Sequence, residues 1–421
     1  MRSLKLAVAL FVGLTATVPA SAETVNAIAD DYVALMVNAQ ALKPDLVVVA
    51  KPDLARVEKL ELPAIRARAG ALQARLEAIK AANPLEAMRA RSMRARLVSL
   101  IAQLDVAGGA RLDMTERVER YYGFKPEFPH LEDYDEALGR LDKAMPGAGT
   151  LAERIDALKT AARVPADKVE PVFRAAMAEC RRRTVANMAL PPESTEVQFV
   201  HDKLVPAENN YLGNGKSITR ISLDVPGDVD RMLVMACHEV YPGHHMHFTN
   251  LDDAVGPDKG FREGLVELAD TPVFPVAEAI AEYGVGLAFP VEDRIAFQRD
   301  ILYPLAGLTM RDEGAWRALI SARPDVLGAS ATVARDYMAG SVDSATTERR
   351  LIRYRLQTPT AAKQTIKMID AFGSAVIASD FGWFTMDRTM RGKPIAEQWR
   401  LLREIQRQPM LLDDIRALAT K

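Results

Sequence analysis

The dominant pattern along the chain is a spacing of apolar residues by three and four positions, which is typical of amphipathic helices. The first strong segment carries Pro63 in the position of a first helical turn. The second ends at Gly108–Gly109, a pair that commonly follows a helix. Before residue 190 the pattern predicts helices over residues 62–83, 84–109, 133–145, 149–164 and 165–190.

The pattern changes between residues 195 and 228. The stretches "EVQFVHDKL" (196–204) and "SITRISLDV" (217–225) carry β-branched and aromatic residues with partial alternation, and "NNYLGNGKS" (209–217) between them is rich in turn residues. Helical spacing resumes after residue 228 and continues to the end. The sequence therefore predicts a mainly α fold with a small antiparallel β element directly before a histidine-rich helix.

The first 22 residues have the pattern of an export signal. Arg2 and Lys5, an apolar run and the small residues "ASA" before Glu23 predict a signal peptide over residues 1–22, cleaved after Ala22. The run is short for a membrane span and contains Pro19, so we expect a periplasmic or secreted protein without stable membrane insertion. An uncleaved anchor is the alternative.

The break "LPPEST" (190–195) predicts an N-terminal helical region (23–190) and a metal-binding catalytic region (191–421), packed as one unit.

Composition narrows the function classes. Apolar residues make up 49% of the chain, enough for a sizeable core, and the net charge of −2 gives no basis for nucleic acid or an anionic membrane as a partner. Composition leaves the oligomeric state unknown. An exported protein could bridge Cys180 and Cys237, but the usual behaviour of two isolated cysteines favours two small buried thiols.

The segment "ACHEVYPGHHMHF" (236–248) contains four of the six histidines of the chain. In the familiar zinc-protease spacing H-E-x-x-H, two imidazoles lie one helical turn apart. Here Pro242 occupies the second histidine position. In an unbroken helix His244 would point away from His238, and His245 would lie about 10 Å further along the axis. A bend at Pro242–Gly243 could return either histidine to His238, and the spacing leaves both possible.

A catalytic zinc commonly takes a third ligand from a later helix and keeps one position for water. Zinc is the favoured metal because imidazole and carboxylate suit it. The Ala-rich segment 275–289 offers Glu278 and Glu282 one turn apart, and Glu263 and Glu267 are competitors. Glu239 follows His238 directly, which is the position of the general base in zinc proteases.

The stretch "CHEVYPGHHMHF" resembles the H-E-x-x-P-G-H-H motif of domain-of-unknown-function family 885. That family consists of exported, largely helical proteins regarded as distant relatives of the carboxypeptidase Taq and oligopeptidase clan. The resemblance implies a zincin-like metallopeptidase architecture. "EAIAEY" (278–283) matches a later family helix, E-G-x-A-x-Y, with Ala279 in place of glycine, and this singles out Glu278 as the third ligand.

Two further comparisons with the motif complete the expected site. Alignment of Gly243 with the "GH" ending of zinc helices selects His244 as the second ligand and leaves His245 as a supporting or substrate-facing residue. The family segment R-Y-x-x-x-P-G-Q-A-x-x-Y is matched only at its start by residues 353–365. Thr360 and Thr365 stand where the family has glycine and tyrosine, so the donor to an oxyanion stays open.

The expected function is that of an exported zinc metallopeptidase acting on short peptides. Zinc held by His238, His244 and Glu278 would activate a water, and Glu239 would carry its proton to the leaving amine. A zinc amidohydrolase acting on another amide, and a zinc-dependent protein that binds peptides or a partner without catalysis, are the alternatives. The sequence gives neither the cleavage position nor the substrate. Candidate oxyanion donors are Tyr354, Arg353, Tyr283 and Tyr211.

Overall fold

The computed structural model describes residues 23–42, 47–49, 57–225 and 227–419, so the predicted signal peptide lies outside the described residues. The fold is mainly helical and contains a small three-stranded sheet, as the hydrophobic pattern predicts. Within these ranges, no helix is both long and apolar enough to cross a membrane.

The helices before the sheet follow the predicted order, and local signals explain several of their ends. Asn83 accepts a hydrogen bond from the backbone N–H of Glu86, and Thr150 and Glu153 form a reciprocal capping pair. The hydrophobic pattern did not predict two of these helices, the one over Val25–Leu42 and the one that follows Asp113. The helices are α1 (Val25–Leu42), α2 (Leu62–Ala78), α3 (Pro84–Ala107), α4 (Met114–Tyr122), α5 (Asp135–Ala144), α6 (Leu151–Ala161) and α7 (Val169–Asn187).

Two small sheets accompany the helices. Strands β1 (Val47–Val49) and β5 (Val266–Leu268) pair antiparallel. The other three are β2 (Ser194–Val200), β3 (Ala207–Gly213) and β4 (Lys216–Ser222), in the order β2–β4–β3. The two predicted strands correspond to β2 and β4, and the prediction that they pair antiparallel was wrong, because β2 runs parallel to β4. The antiparallel partner of β4 is β3, which begins after the first predicted strand and ends in the predicted turn. Part of the predicted turn, residues 209–213, is strand, because Asn209 bonds through its side chain to Ser217 and Thr219 on β4.

The second half of the chain supplies the helices that surround the histidine-rich segment. Helices α8 and α9 carry that segment, α10 packs against both of them, and α17 packs against α10. The helices are α8 (Val229–Glu239), α9 (His244–Val255), α10 (Phe274–Ala288), α11 (Val291–Phe297), α12 (Tyr303–Leu305), α13 (Glu313–Val326), α14 (Ala329–Met338), α15 (Ser344–Tyr354), α16 (Pro359–Phe372), α17 (Ala375–Met390), α18 (Ile395–Gln406) and α19 (Leu412–Leu418).

Two main apolar clusters hold the described residues together. The larger runs from Ala102 to Leu418, and the smaller joins α1, α2 and α3 to Val266 and Leu268. Residues on both sides of the predicted boundary at 190–191 contribute to the larger cluster. The division into two regions stays a prediction.

A disulfide between Cys180 and Cys237 connects α7 to α8 one residue before His238. The favoured interpretation of two unbridged thiols was wrong. The sequence could not decide the matter, because the two cysteines become neighbours only when α7 packs on α8. A cross-link over a separation of 57 residues stabilises the fold by about 4 kcal/mol in the chain-entropy model, because it restricts the unfolded chain. It fixes α8 at the point where the histidine cluster begins.

Candidate metal centre

The centre begins at the predicted break between α8 and α9. Helix α8 ends at Glu239, the Tyr241–Pro242 peptide bond is cis, and α9 starts at His244. Gly243 folds back over the end of α8, and its N–H donates to the carbonyl of Cys237 at 3.1 Å. A Cβ on Gly243 would lie 1.7 Å from the carbonyl oxygen of His238, so a side chain cannot be accommodated without moving the backbone.

This bend brings His244 back to His238. The two imidazole rings meet edge to face with their centroids 4.7 Å apart. An unbroken helix would have separated them, so the bend is what makes a shared site geometrically possible.

Helix α10 supplies the third side chain. Glu278 Oε1 lies 3.3 Å from His244 Nε2, and Glu278 Oε2 lies 3.7 Å from His238 Nε2. Helix α10 comes close because its facing residues are small: a Cβ on Gly284 would lie 2.8 Å from Pro242 Cγ. The ligand atoms of His238, His244 and Glu278 all lie within 4.8 Å of one another, and all three side chains are partly buried.

The donor set and spacing fit zinc. Two ligands about 2.1 Å from a tetrahedral zinc lie about 3.4 Å apart, close to the two contacts that Glu278 makes. Two imidazole nitrogens and one carboxylate oxygen form the set found in several catalytic zinc sites, where the fourth position remains for water. Calcium and magnesium favour oxygen ligands and fit less well.

Glu282 orients His238 from the opposite side of the ring. Its Oε2 lies 3.6 Å from His238 Nδ1, and its Oε1 accepts a hydrogen bond from Arg323 at 2.7 Å. Carboxylates in this position commonly fix the tautomer of a metal-binding histidine. Glu282 is a candidate ligand by its spacing from Glu278, whereas the structure places it behind His238. Ser379 of α17 donates to Glu278 Oε2 at 3.2 Å.

Negative charge is concentrated around the two histidines. Burial lowers the pKa of His238, but the close contact with Glu282 and the charges of Glu278 and Glu239 outweigh it and raise the pKa to about 9. Burial likewise opposes the charge of Glu278, yet His244 and His238 hold its pKa below the ordinary value. The site therefore attracts a cation: without a metal, it stabilises a proton on His238.

Glu239 is the last residue of α8 and lies next to this cluster. It is 7% exposed, and among the described residues its carboxylate has no hydrogen-bond or ion-pair partner. On the helix it is rotated by about 100° from His238, so it can approach the centre without the orientation of a ligand. This leaves its oxygens available to accept a proton.

His245 lies on the other side of α9 in a separate polar network. Its ring is fully buried, with Nδ1 2.8 Å from Ser217 Oγ and Nε2 3.1 Å from Glu193 Oε2. Glu193 also accepts hydrogen bonds from Tyr241 and Arg181. Burial raises the pKa of Glu193, but its hydrogen-bond partners outweigh burial and lower the pKa to about 2. Both nitrogens of His245 are occupied, which suits a residue that holds α9 against the sheet.

The remaining histidine and carboxylate candidates have other surroundings. His247 is buried, stacks on Phe248 at 4.8 Å, and has its pKa lowered to about 3 by burial and by the charge of His244. Glu263 forms a buried ion pair with Arg89 at 2.7 Å, which connects α3 to the segment before β5. Glu267 on β5 is exposed and interacts with the charge of His244 from a distance.

Among the described residues, none of the four candidate oxyanion donors hydrogen-bonds or ion-pairs with His238, His244 or Glu278. Each has a different partner, and Thr365, at the family tyrosine position, accepts a hydrogen bond from Gln357. The oxyanion donor therefore remains unassigned. Tyr211 donates to Asp252 at 2.8 Å, Tyr283 donates to Gln398 at 2.8 Å, and Arg353 pairs with Asp135 at 2.8 Å while stacking over Tyr354 at 5.2 Å.

Three residues of the site have no signal in the sequence motif. Arg323 and Ser379 come from helices far along the chain, and only tertiary packing places them beside Glu282 and Glu278. Glu193 lies in "LPPEST", which composition marks as a boundary and not as a place for a buried carboxylate.

Comparison with known proteins identifies a likeness of fold. No family model and no curated protein matches the chain. A solved structure described as "the putative lipoprotein from Colwellia psychrerythraea" is similar with a TM-score of 0.51 and 10% sequence identity. The match covers 84% of this chain and 66% of that chain, so this protein spans slightly less than two thirds of its structural neighbour. At this identity the likeness shows the fold alone.

Proposed function

We propose that this protein is an exported zinc-dependent metallopeptidase that hydrolyses short peptides. The observation that carries the proposal is the convergence of His238, His244 and Glu278 from three helices. Glu239, an acidic residue without a partner among the described residues, lies directly beside the first of them. The resemblance of the motif to family 885 supports the same conclusion.

The protein residues divide the chemistry among them. A zinc ion held by His238, His244 and Glu278 would supply Lewis acidity for a carbonyl and would lower the pKa of a water toward neutrality. Glu239 accepts the proton of the attacking water and delivers it to the leaving amine. Glu282 and Arg323 hold the His238 ring, and Ser379 holds the Glu278 carboxylate. These fixed contacts keep the donors in position before substrate arrives.

Two other functions would use the same centre: hydrolysis of a non-peptide amide, and binding of peptides without catalysis. Glu239 favours a hydrolase over a binding protein, because a binding site has no need of a carboxylate beside its first histidine. Export is proposed from residues 1–22, and the description of the structural neighbour as a lipoprotein agrees with it.

Metal analysis and peptide digestion test the function together. Protein purified without chelator should contain about one zinc per chain and cleave members of a mixed peptide library. Chelation should abolish cleavage, and added zinc should restore it. Absence of stoichiometric metal from protein that never met a chelator would refute the zinc site. Zinc without any cleavage of peptides would refute the peptidase.

Glu282→Gln should weaken zinc binding by about 10- to 100-fold, because it removes the charge that orients His238. Competition titration against a chelating dye measures the affinity. Glu292→Gln, which changes a surface partner of Arg317, is the matched control and should bind zinc like the parent. Equal affinities for all three proteins would show that Glu282 does not support the centre.

A further inference from the structure

The acidic residues of α8 and α10 interact with several arginines. Arg323 pairs with Glu282 at 2.7 Å, and Arg294 pairs with Asp230 at 2.6 Å. Arg231 makes no ion pair with a carboxylate in the part of the chain that the structure describes. Its side chain is exposed to solvent.

Arg231 also lies on the same face of α8 as His238. Seven residues correspond to about 700° of rotation, so the two side chains differ by only about 20° in direction. Their separation along the helix axis is about 10 Å, which equals about three residues of extended peptide. A substrate whose carbonyl lies at His238 could therefore reach Arg231 along the helix.

Neighbouring protein and neighbouring charges both act on the guanidinium of Arg231. Burial by nearby protein lowers the pKa of its guanidinium, and the charge of Arg323 lowers it further, although the side chain retains access to solvent. The carboxylates that interact with it from a distance are Glu282, Glu239 and Asp228, of which Glu282 is already paired with Arg323. An arginine in this setting can still receive an anion.

We propose that Arg231 binds a carboxylate of the substrate, within about three residues of the bond that is cleaved. The planar guanidinium presents paired N–H donors that match a carboxylate in two parallel hydrogen bonds. The carboxylate is either the C-terminus of a short peptide or an acidic side chain. This inference rests on the proposed peptidase function and assigns its substrate class.

Kinetics on matched peptides test the role of Arg231. The substrates are one short peptide with a free C-terminus, the same peptide as a C-terminal amide, and the amide with one acidic residue added. The parent should prefer the free acid. Arg231→Gln should raise KM for the acid by about 10- to 100-fold and remove the difference between acid and amide. Arg231→Lys should recover part of the preference, because it restores charge without the paired donors.

Arg317→Gln, an exposed arginine paired with Glu292, is the control and should keep the parent's preference. If the parent recognises the amide with an added acidic residue tightly, the carboxylate that Arg231 binds is a side chain. If the parent prefers only the free acid, that carboxylate is the C-terminus. If the parent cleaves all three peptides equally well, the inference is wrong while the peptidase stands.

A binding measurement separates the two proposals if the parent cleaves nothing. Titration of the zinc-loaded protein with the free-acid peptide should show binding that is weaker for the amide and weaker after Arg231→Gln. That result would retain the carboxylate site and reject the peptidase. Equal binding of all three peptides by both proteins would reject the carboxylate site. Zinc content and circular dichroism of each variant exclude loss of fold as the cause.

Discussion

Replacing Glu239 by Gln should reduce peptide hydrolysis by about 10²–10⁴-fold, which is the usual contribution of a general base. The amide keeps the size of the side chain but cannot accept the proton of the attacking water. Glu239 belongs to none of the three contacts that define the metal cluster, so zinc content should remain near that of the parent. Parallel measurement of hydrolysis and bound zinc separates loss of chemistry from loss of metal.

The control for this substitution is Glu292→Gln on the protein surface, which should hydrolyse peptides like the parent. If Glu239→Gln cleaves as fast as the parent, Glu239 is not the base. If neither the parent nor Glu239→Gln cleaves any peptide, yet the two proteins bind zinc and peptide equally, the protein binds peptides in a zinc-dependent way without catalysis.

The sequence predicted the helices well because amphipathic spacing reports which face of a segment is buried. It was less informative about the sheet. Asn209 and its neighbours resemble a turn by composition, and only the polar partners on β4 make them a strand. That β2 pairs with β4, and not with the strand that follows it, is decided by tertiary packing.

The same limit applies to the candidate site. The Pro242–Gly243 bend follows from local chemistry, and the structure shows the close approach that requires glycine. The position of Glu278 came from a resemblance to a family helix, and the structure places it beside both histidines. Arg323, Ser379 and the Cys180–Cys237 bridge depend on contacts between distant helices, and no spacing in the chain indicates them.

The two adjacent histidines should respond oppositely to replacement. His244→Ala removes one of three donors that meet within 4.8 Å, so stoichiometric zinc should be lost along with hydrolysis. His245→Ala removes a ring whose two nitrogens are occupied by Ser217 and Glu193, so zinc should be retained. We expect His245→Ala to lower the free energy of unfolding by about 1–3 kcal/mol, because Glu193 loses one of its buried partners.

Zinc analysis and denaturant unfolding of both variants measure these effects, with His238→Ala as the reference for complete loss of the centre. In His245→Ala the unfolding midpoint should fall while the zinc content stays near one per chain. Zinc retained by His244→Ala and lost from His245→Ala would reverse the assignment of the second ligand. The ring contacts argue against that reversal, since His244 already faces Glu278 at 3.3 Å and His245 faces the sheet.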